Sequence, residues 1–292
     1  MKEKIGDSEL IINPDGSIFH LHLKPEDIAD TIILVGDQGR VDTVASFFDK
    51  VEIHRQNREF NTKTGYYKGK RISVVSTGIG TDNIDIVLNE LDAITNIDLQ
   101  KRIPKDEHKT LNLIRIGTSG SLQADIPVDT PVAAKIALGF DPLLNFYAGR
   151  NEVCHTEMEQ PFMEHTKWNP LLHRPYFVDS SDKLFNTIAK DLTHGITISA
   201  PGFYGPQGRQ LRLKTADPKL NEKLQNFKYN NLRITNYEME CSAIYGLSKL
   251  LGHNALTICN IIANRFKKDY SSDYKTKIKE TIKLVLDRTL EL

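Results

Sequence analysis

The sequence predicts an α/β fold built around a central, largely buried sheet. Two patterns carry that expectation. Short apolar runs rich in β-branched residues alternate with stretches whose apolar residues recur at helical spacing, strand and then helix. Several of the apolar runs end on glycine-bearing turns, at Gly36, at Gly78 and Gly80, and at Gly117 and Gly120. The chain shows no internal repeat, low-complexity tract or linker, so residues 1–292 read as one domain.

In chain order, Thr31 to Gly36 reads as a buried strand and Val41 to Phe48 as the helix behind it. Ile72 to Ser76 is a second strand. Ile84, Val87, Leu88 and Leu91 place a helix over 84–94. Leu113 to Gly117 and Val132 to Leu138 are strands, Leu184 to Leu192 a helix and Ile196 to Ser199 extended. Leu232 to Tyr237 alternates as a strand does. From Met239 onward, Ala243, Ile244, Leu247 and Leu251 keep helical spacing, and Leu256 to Ala263 is a largely apolar strand. Ser272 or Asp273 caps a last helix with Ile278, Ile282, Val285, Leu286 and Leu290 on one face. Gln100 to Lys109 is a polar, exposed connection. Residues 141–181, rich in proline, histidine and aromatics, have weak periodicity and read as an elaboration over the site or at a subunit contact.

The 38 basic and 38 acidic residues balance, which argues against general electrostatic attraction to nucleic acid. Three cysteines without a CxxC pair suggest a reducing compartment. No apolar signal core opens the chain and no run is long enough to span a bilayer. The expectation is a cytoplasmic protein with no membrane or nucleic-acid partner.

Four segments carry chemistry. Gly36-Asp37-Gln38-Gly39-Arg40 follows a strand and opens a helix, a place where backbone N–H groups and an arginine suit an anion. Arg115 interrupts an apolar run, and a buried guanidinium needs an anionic partner from protein or ligand. Thr118 follows it at the strand's end, where open α/β sheets place ligands. Arg58 adds a third arginine in a polar setting. Glu238 and Glu240 sit where a strand meets a helix, able to accept from sugar hydroxyls or to serve as helix-start carboxylates. Thr77-Gly78-Ile79-Gly80 lacks the third glycine of a dinucleotide fingerprint, since Asn83 stands there. His20 and His22 have no third ligand at a recognisable spacing, so no zinc site is expected.

In order and content these segments, from Phe19-His20 to Asn264-Arg265, resemble the nucleoside phosphorylases of the uridine phosphorylase type. Residues 141–181 are the part the resemblance does not cover. It implies a three-layer α/β/α phosphorylase-like fold with a central mixed, partly barrel-like sheet. It implies a phosphate site of Gly36, Arg40, Arg115 and Thr118, with Arg58 supplied by a neighbouring subunit. Glu238, Met239 and Glu240 would hold the ribose, with His20 reaching the adjacent subunit's sugar. Phe203, Gln207 and Arg209 would read the base, and Arg209, Gln207 and Arg115 would carry catalysis by electrostatic stabilisation.

The same resemblance implies phosphorolysis of uridine to uracil and ribose 1-phosphate, with phosphate as co-substrate and no cofactor or catalytic metal. Glu59 and Ile79 match parts of a monovalent-cation site whose serine is replaced here by Asn83. A homodimer with shared sites follows, with a trimer of dimers left open. Two alternatives stand beside this reading. One is a purine nucleoside phosphorylase or hydrolytic nucleosidase of the same fold, against which neutral Asn264 speaks as a poor acid. The other is a non-catalytic nucleoside-binding protein, which would have no use for the phosphate-site arginines.

Overall fold

The computed structural model describes residues 3–292. Ten strands form the frame: β1 (Thr31–Val35), β2 (Lys50–Asn57), β3 (Phe60–Tyr67), β4 (Lys70–Ser76), β5 (Asn112–Ser121), β6 (Pro131–Gly139), β7 (Tyr176–Asp179), β8 (Thr193–Ser199), β9 (Leu232–Glu238) and β10 (Asn254–Asn264). Five helices matter most: α1 (Gln38–Ala45), α2 (Thr81–Asn96), α3 (Thr156–Thr166), α4 (Cys241–Leu251) and α5 (Tyr274–Thr289).

The strands lie in the order β9-β8-β6-β10-β5-β1-β4-β3-β2, and β7 pairs with β6. β9 also pairs with β5, antiparallel, at Asn236 with Ser121 and Tyr237 with Gly120. That short contact closes β5, β10, β6, β8 and β9 into a five-stranded barrel, and the sheet mixes parallel and antiparallel pairs. Alternation along β1 sorts its side chains between two layers. Ile32 and Leu34 face α2 and α4, whereas Ile33 and Val35 face α1 and α5. Both faces are covered, so all five β1 residues are buried. The result is the phosphorylase-like α/β fold with a partly barrel-like mixed sheet that the resemblance implied.

Four local expectations need correction. α1 begins three residues earlier than expected because the Asp37 carboxylate accepts from Arg40 N–H at 2.9 Å and caps it. It ends at Ala45, where Ser46 Oγ turns back to the Thr43 carbonyl at 2.7 Å. The stretch 184–192 is not one helix: one turn at Asp182–Leu184 widens into a π-helical turn over Phe185–Ala189, which buries Leu184, Phe185 and Ile188. β5 runs on to Ser121, so Thr118 lies within the strand rather than beyond its end. Asp273 occupies the cap position of α5, but neither its side chain nor another caps the helix by a hydrogen bond.

Residues 141–181 are woven into the fold. β7 adds to the sheet beside β6, and α3 buries Met158 and Phe162. Phe162 lies within 5.6 Å, ring centre to ring centre, of Trp168, Phe177 and Phe227. Gln100 to Lys109 is a largely exposed connection, as expected, apart from the short pairing of Ile97–Asp98 with Ile103–Pro104. Among the described residues no helix is long and apolar enough to cross a membrane.

Phe162 is fully buried, so Phe162→Ala is expected to lower the unfolding free energy by about 3–5 kcal/mol. Urea denaturation checks this, and a change under 1 kcal/mol, on the order of a surface substitution, would show that α3 is not part of the core.

Candidate active site

The carboxyl ends of β1 and β4, the far half of β5, the start of α4, the loop after β8 and the end of β10 surround a cleft of about 610 Å³. Gly36, Arg40, Arg115, Thr118, Phe203, Gln207, Arg209, Glu238, Met239 and Glu240 all line it. Ligands collect at such strand ends because backbone groups there are free and the side chains converge. A neighbouring groove of about 660 Å³, walled by Trp168, Leu172, Leu211 and Leu213, shares only Arg209 with the cleft.

At one end, Arg40 and Arg115 make a cationic pocket with Gly36 and Thr118. Arg40 is held by Asp37 at 3.1 Å, and burial draws its pKa down while Asp37 pushes it back up. Arg115 is 5% exposed. Its Nη2 is ion-paired with Glu240, and its Nε lies 3.8 Å from Glu238. Burial disfavours the charge, but Glu240 and Glu238 outweigh it and hold the pKa above the ordinary value. Gly117 makes this possible, since a Cβ there would fall 1.8 Å from Arg115 Nη1.

The two glutamates divide the roles between them. Glu238 is the helix-start carboxylate: it accepts from the N–H groups of Glu240 and Cys241 at 2.9–3.0 Å and from Ser199 Oγ at 2.5 Å. Burial pushes its pKa up, with Arg115 opposing and Glu240 adding to the rise. Glu240 reaches Arg115 with one oxygen and accepts from Gly80 N–H at 2.8 Å with the other. Gly80 has φ of 100°, so its N–H is presented by a backbone that favours glycine.

At the other end, Arg209 lies over the Phe203 ring, 3.6 Å from its centre. Its Nη1 donates to the Phe203 carbonyl at 2.5 Å and to Gln207 Oε1 at 2.7 Å. Burial, and then Arg265, bring the Arg209 pKa down to about 10. Arg265 was not singled out from sequence. It lines the cleft and donates to the same Gln207 oxygen at 2.9 Å, and its buried Nε has no protein partner. Its only signal was an arginine directly after an apolar strand. Asn264, by contrast, is fully engaged in structure. Its amide N–H₂ donates to the carbonyls of Gln123 and Ile126, and its oxygen accepts from Phe266 and Lys267 N–H.

His20 and Arg58 are not brought to the cleft. They form a separate cluster in which His20 Nδ1 pairs with Glu90 at 2.6 Å and Arg58 lies 5.8 Å from the Phe19 ring centre. Phe19 in turn packs edge-on to His20, and Asn57 Nδ2 donates to the His20 carbonyl at 2.9 Å. Ile79 lines the cleft and is 67% exposed, and a Cβ on Gly78 would lie 3.3 Å from Glu59. Asp92, His108 and His253 gather elsewhere. His253 Nδ1 accepts from Leu111 N–H, so Nε2 carries the proton and donates to Asp92 at 3.1 Å. That tautomer leaves no lone pair for a metal.

This fold and this cleft define a nucleoside-phosphorylase type of architecture. The chain belongs to the phosphorylase superfamily, whose family model matches residues 30–291. It is similar to a uridine phosphorylase of Thermococcus kodakarensis, 29% identical over 276 residues, which cover 92% of this chain and 86% of that protein. It is also similar to a DeoD-type purine nucleoside phosphorylase of Listeria welshimeri, 28% identical over 275 residues, 93% of this chain and 99% of that one. Among solved structures it matches a Trypanosoma brucei nucleoside phosphorylase described as showing uridine phosphorylase activity. The TM-score is 0.88 at 30% identity, over 97% of this chain and 100% of the other.

Removing Arg115 strands two buried carboxylates. Arg115→Ala is expected to cost about 3–5 kcal/mol of stability, read from the urea midpoint. An unchanged midpoint would mean that Glu238 and Glu240 do not depend on it.

Proposed function

We propose that the chain catalyses the reversible phosphorolysis of uridine to uracil and ribose 1-phosphate. The observation that carries this reading is the base-facing corner. Gln207 Oε1 accepts from both Arg209 and Arg265, which leaves the Gln207 amide N–H₂ and the arginines' remaining N–H groups as donors for a bound base. Such an array favours carbonyl oxygens on which negative charge grows as the glycosidic bond breaks. Phe203 supplies the aromatic surface beside it.

Phosphate binds at the opposite end, to Arg40, Arg115, Thr118 and the Gly36 backbone, and attacks the anomeric carbon. Met239 and Glu240 lie between the ends and hold the ribose, Glu240 accepting from its hydroxyls. Positive charge developing on the sugar is stabilised by the incoming phosphate. Purine phosphorolysis, suggested by the purine-specific relatives, needs a group to protonate the departing ring. Asn264 is spent on four backbone partners and cannot serve.

His20 and Arg58 complete the site of a neighbouring subunit in a homodimer, which accounts for their clustering away from their own cleft. The three cysteines, all free, fit a cytoplasmic enzyme.

The test is release of uracil and ribose 1-phosphate from uridine, with and without phosphate, with thymidine and inosine in parallel. Phosphate-dependent cleavage with little action on inosine is expected. Cleavage that ignores phosphate, or a preference for inosine, would overturn the reading. Arg209→Ala should lower turnover by about 10²–10³, the usual cost of one well-aimed donor. Co-assembled Arg58→Ala and Arg209→Ala chains should recover activity in hybrid dimers. Proven hybrids that stay inactive would exclude the shared site.

A further inference from the structure

Asp141 is a buried carboxylate that the proposed reaction does not use. It is 1% exposed, follows the end of β6, and has no basic side chain within ion-pair distance among the described residues. Its oxygens are satisfied by neutral donors alone: Ser242 Oγ at 2.7 Å, Tyr176 OH at 2.9 and 3.0 Å, and Leu143 N–H at 3.0 Å. A carboxylate buried without a counter-ion is costly. Burial accordingly pushes its pKa up, against the pull of the Ser242, Leu143 and Tyr176 donors. An apolar side chain of similar size would pack more cheaply if packing were the only role.

The arrangement of its partners points elsewhere. Ser242 lies in the first turn of α4, two residues after Glu240. Its N–H donates to Ser199 Oγ at 2.8 Å, and that hydroxyl donates to Glu238 at 2.5 Å. Glu238 in turn receives Glu240 N–H and Cys241 N–H. The first turn of α4 is therefore gripped from two sides, by Glu238 on the strand preceding it and by Asp141 just beyond the end of β6. Glu240 makes no side-chain cap bond of its own. Its carboxylate instead leaves the helix for Gly80 and Arg115, so where that carboxylate lies depends on how firmly the turn beneath it is held. Tyr176, near the far end of residues 141–181, and Asp141, at their start, meet at this one point.

We propose that Asp141 is a positioning residue for Glu240, acting through Ser242 and the first turn of α4. The inference rests on the reading of Glu240 as the group that holds the ribose hydroxyls. It gives residues 141–181 a part in sugar recognition without contact with the sugar.

The experiment compares kcat/KM for uridine and 2′-deoxyuridine in the wild-type protein and in Ser242→Ala, Asp141→Ala and Asp141→Asn. Ser242→Ala removes one hydroxyl from the helix side and keeps the backbone link to Ser199, so it remains informative if Asp141→Ala fails to fold. The ratio of the two substrates is expected to fall by roughly tenfold in Ser242→Ala and Asp141→Ala, the scale of one hydrogen bond to a charged group. Asp141→Asn, which keeps the shape and an acceptor for Leu143 N–H, should restore most of the ratio. A merely structural role would lower the melting temperature and both kcat/KM values together, leaving the ratio unchanged, and that result overturns the proposal. A wild-type protein that cleaves uridine but is indifferent to the 2′-hydroxyl overturns the ribose role of Glu240 first, and the proposal with it. A wild-type protein that cleaves neither substrate overturns the proposed reaction.

Discussion

Arg115 stands within the apolar stretch Leu113–Ile116 of a central strand, and its charge has to be met inside the protein. Glu240 meets it, with Glu238 close by. Two carboxylates one residue apart would repel each other in a buried site, and the guanidinium between them offsets that repulsion. The arrangement is expensive to desolvate and strongly destabilising to break. It therefore fixes the junction of β9 and α4 against β5, and with it the floor of the cleft. Arg40 shares that floor without a buried acid of its own, its partner Asp37 being half exposed. This end of the cleft thus holds one guanidinium paired with buried acids and one paired with a more exposed acid.

The same constraint explains the glycines of β5. Two guanidinium groups crowd against this strand. A Cβ at Gly117 would collide with Arg115, and one at Gly120 would fall 2.8 Å from Arg265 Nε. Gly120 is also where β5 meets Tyr237 of β9 to close the barrel. Bare backbone lets the strands approach and leaves both arginines their space. Arg115 and Arg265 thus both depend on bare backbone in one strand.

Much of this was legible in the sequence, because burial writes itself into periodicity. β1, β4, β5, β6 and β10 are buried on both faces and read as apolar runs, and α2 and α4 carry one-sided apolar stripes. The hairpin of β2 and β3 was not legible. Nearly every β2 residue is exposed, and β3 buries Asn61, Thr62 and Thr64, so neither strand shows apolar alternation. α3 was hidden by Pro161 and by the charged residues on its solvent side. Arg115 betrayed itself because a charge in an apolar run has no cheap explanation. Arg265 did not, because an arginine just past a strand usually lies in solvent. Gln207, brought in from the loop after β8, gives its side chain a partner. The separation of the two glutamates into a helix cap and an arginine partner was likewise invisible, since both readings fit the same three letters.

Charge is laid out along the cleft in a cation–anion–cation order: Arg40 and Arg115, then Glu240, then Arg209 and Arg265. A phosphorylase must bring an anion to a sugar whose anomeric carbon becomes positive while the departing base becomes negative. Cations at both ends suit the two anionic partners of that process, and an acid at the middle suits the sugar hydroxyls between them. These charges are held in place before substrate arrives, by Gly80 and Arg115 at the middle and by Gln207 and the Phe203 ring at the base end. Preorganised dipoles need not turn at the moment of reaction, which is where such sites gain over water. The Arg209 guanidinium, half-withdrawn from solvent and beside a second arginine, already sits at an unfavourable potential that a base gaining negative charge would relieve. In the proposed reaction that relief would grow as charge builds on the departing base, so the closeness of Arg209 and Arg265 would favour bond breaking over the bound nucleoside.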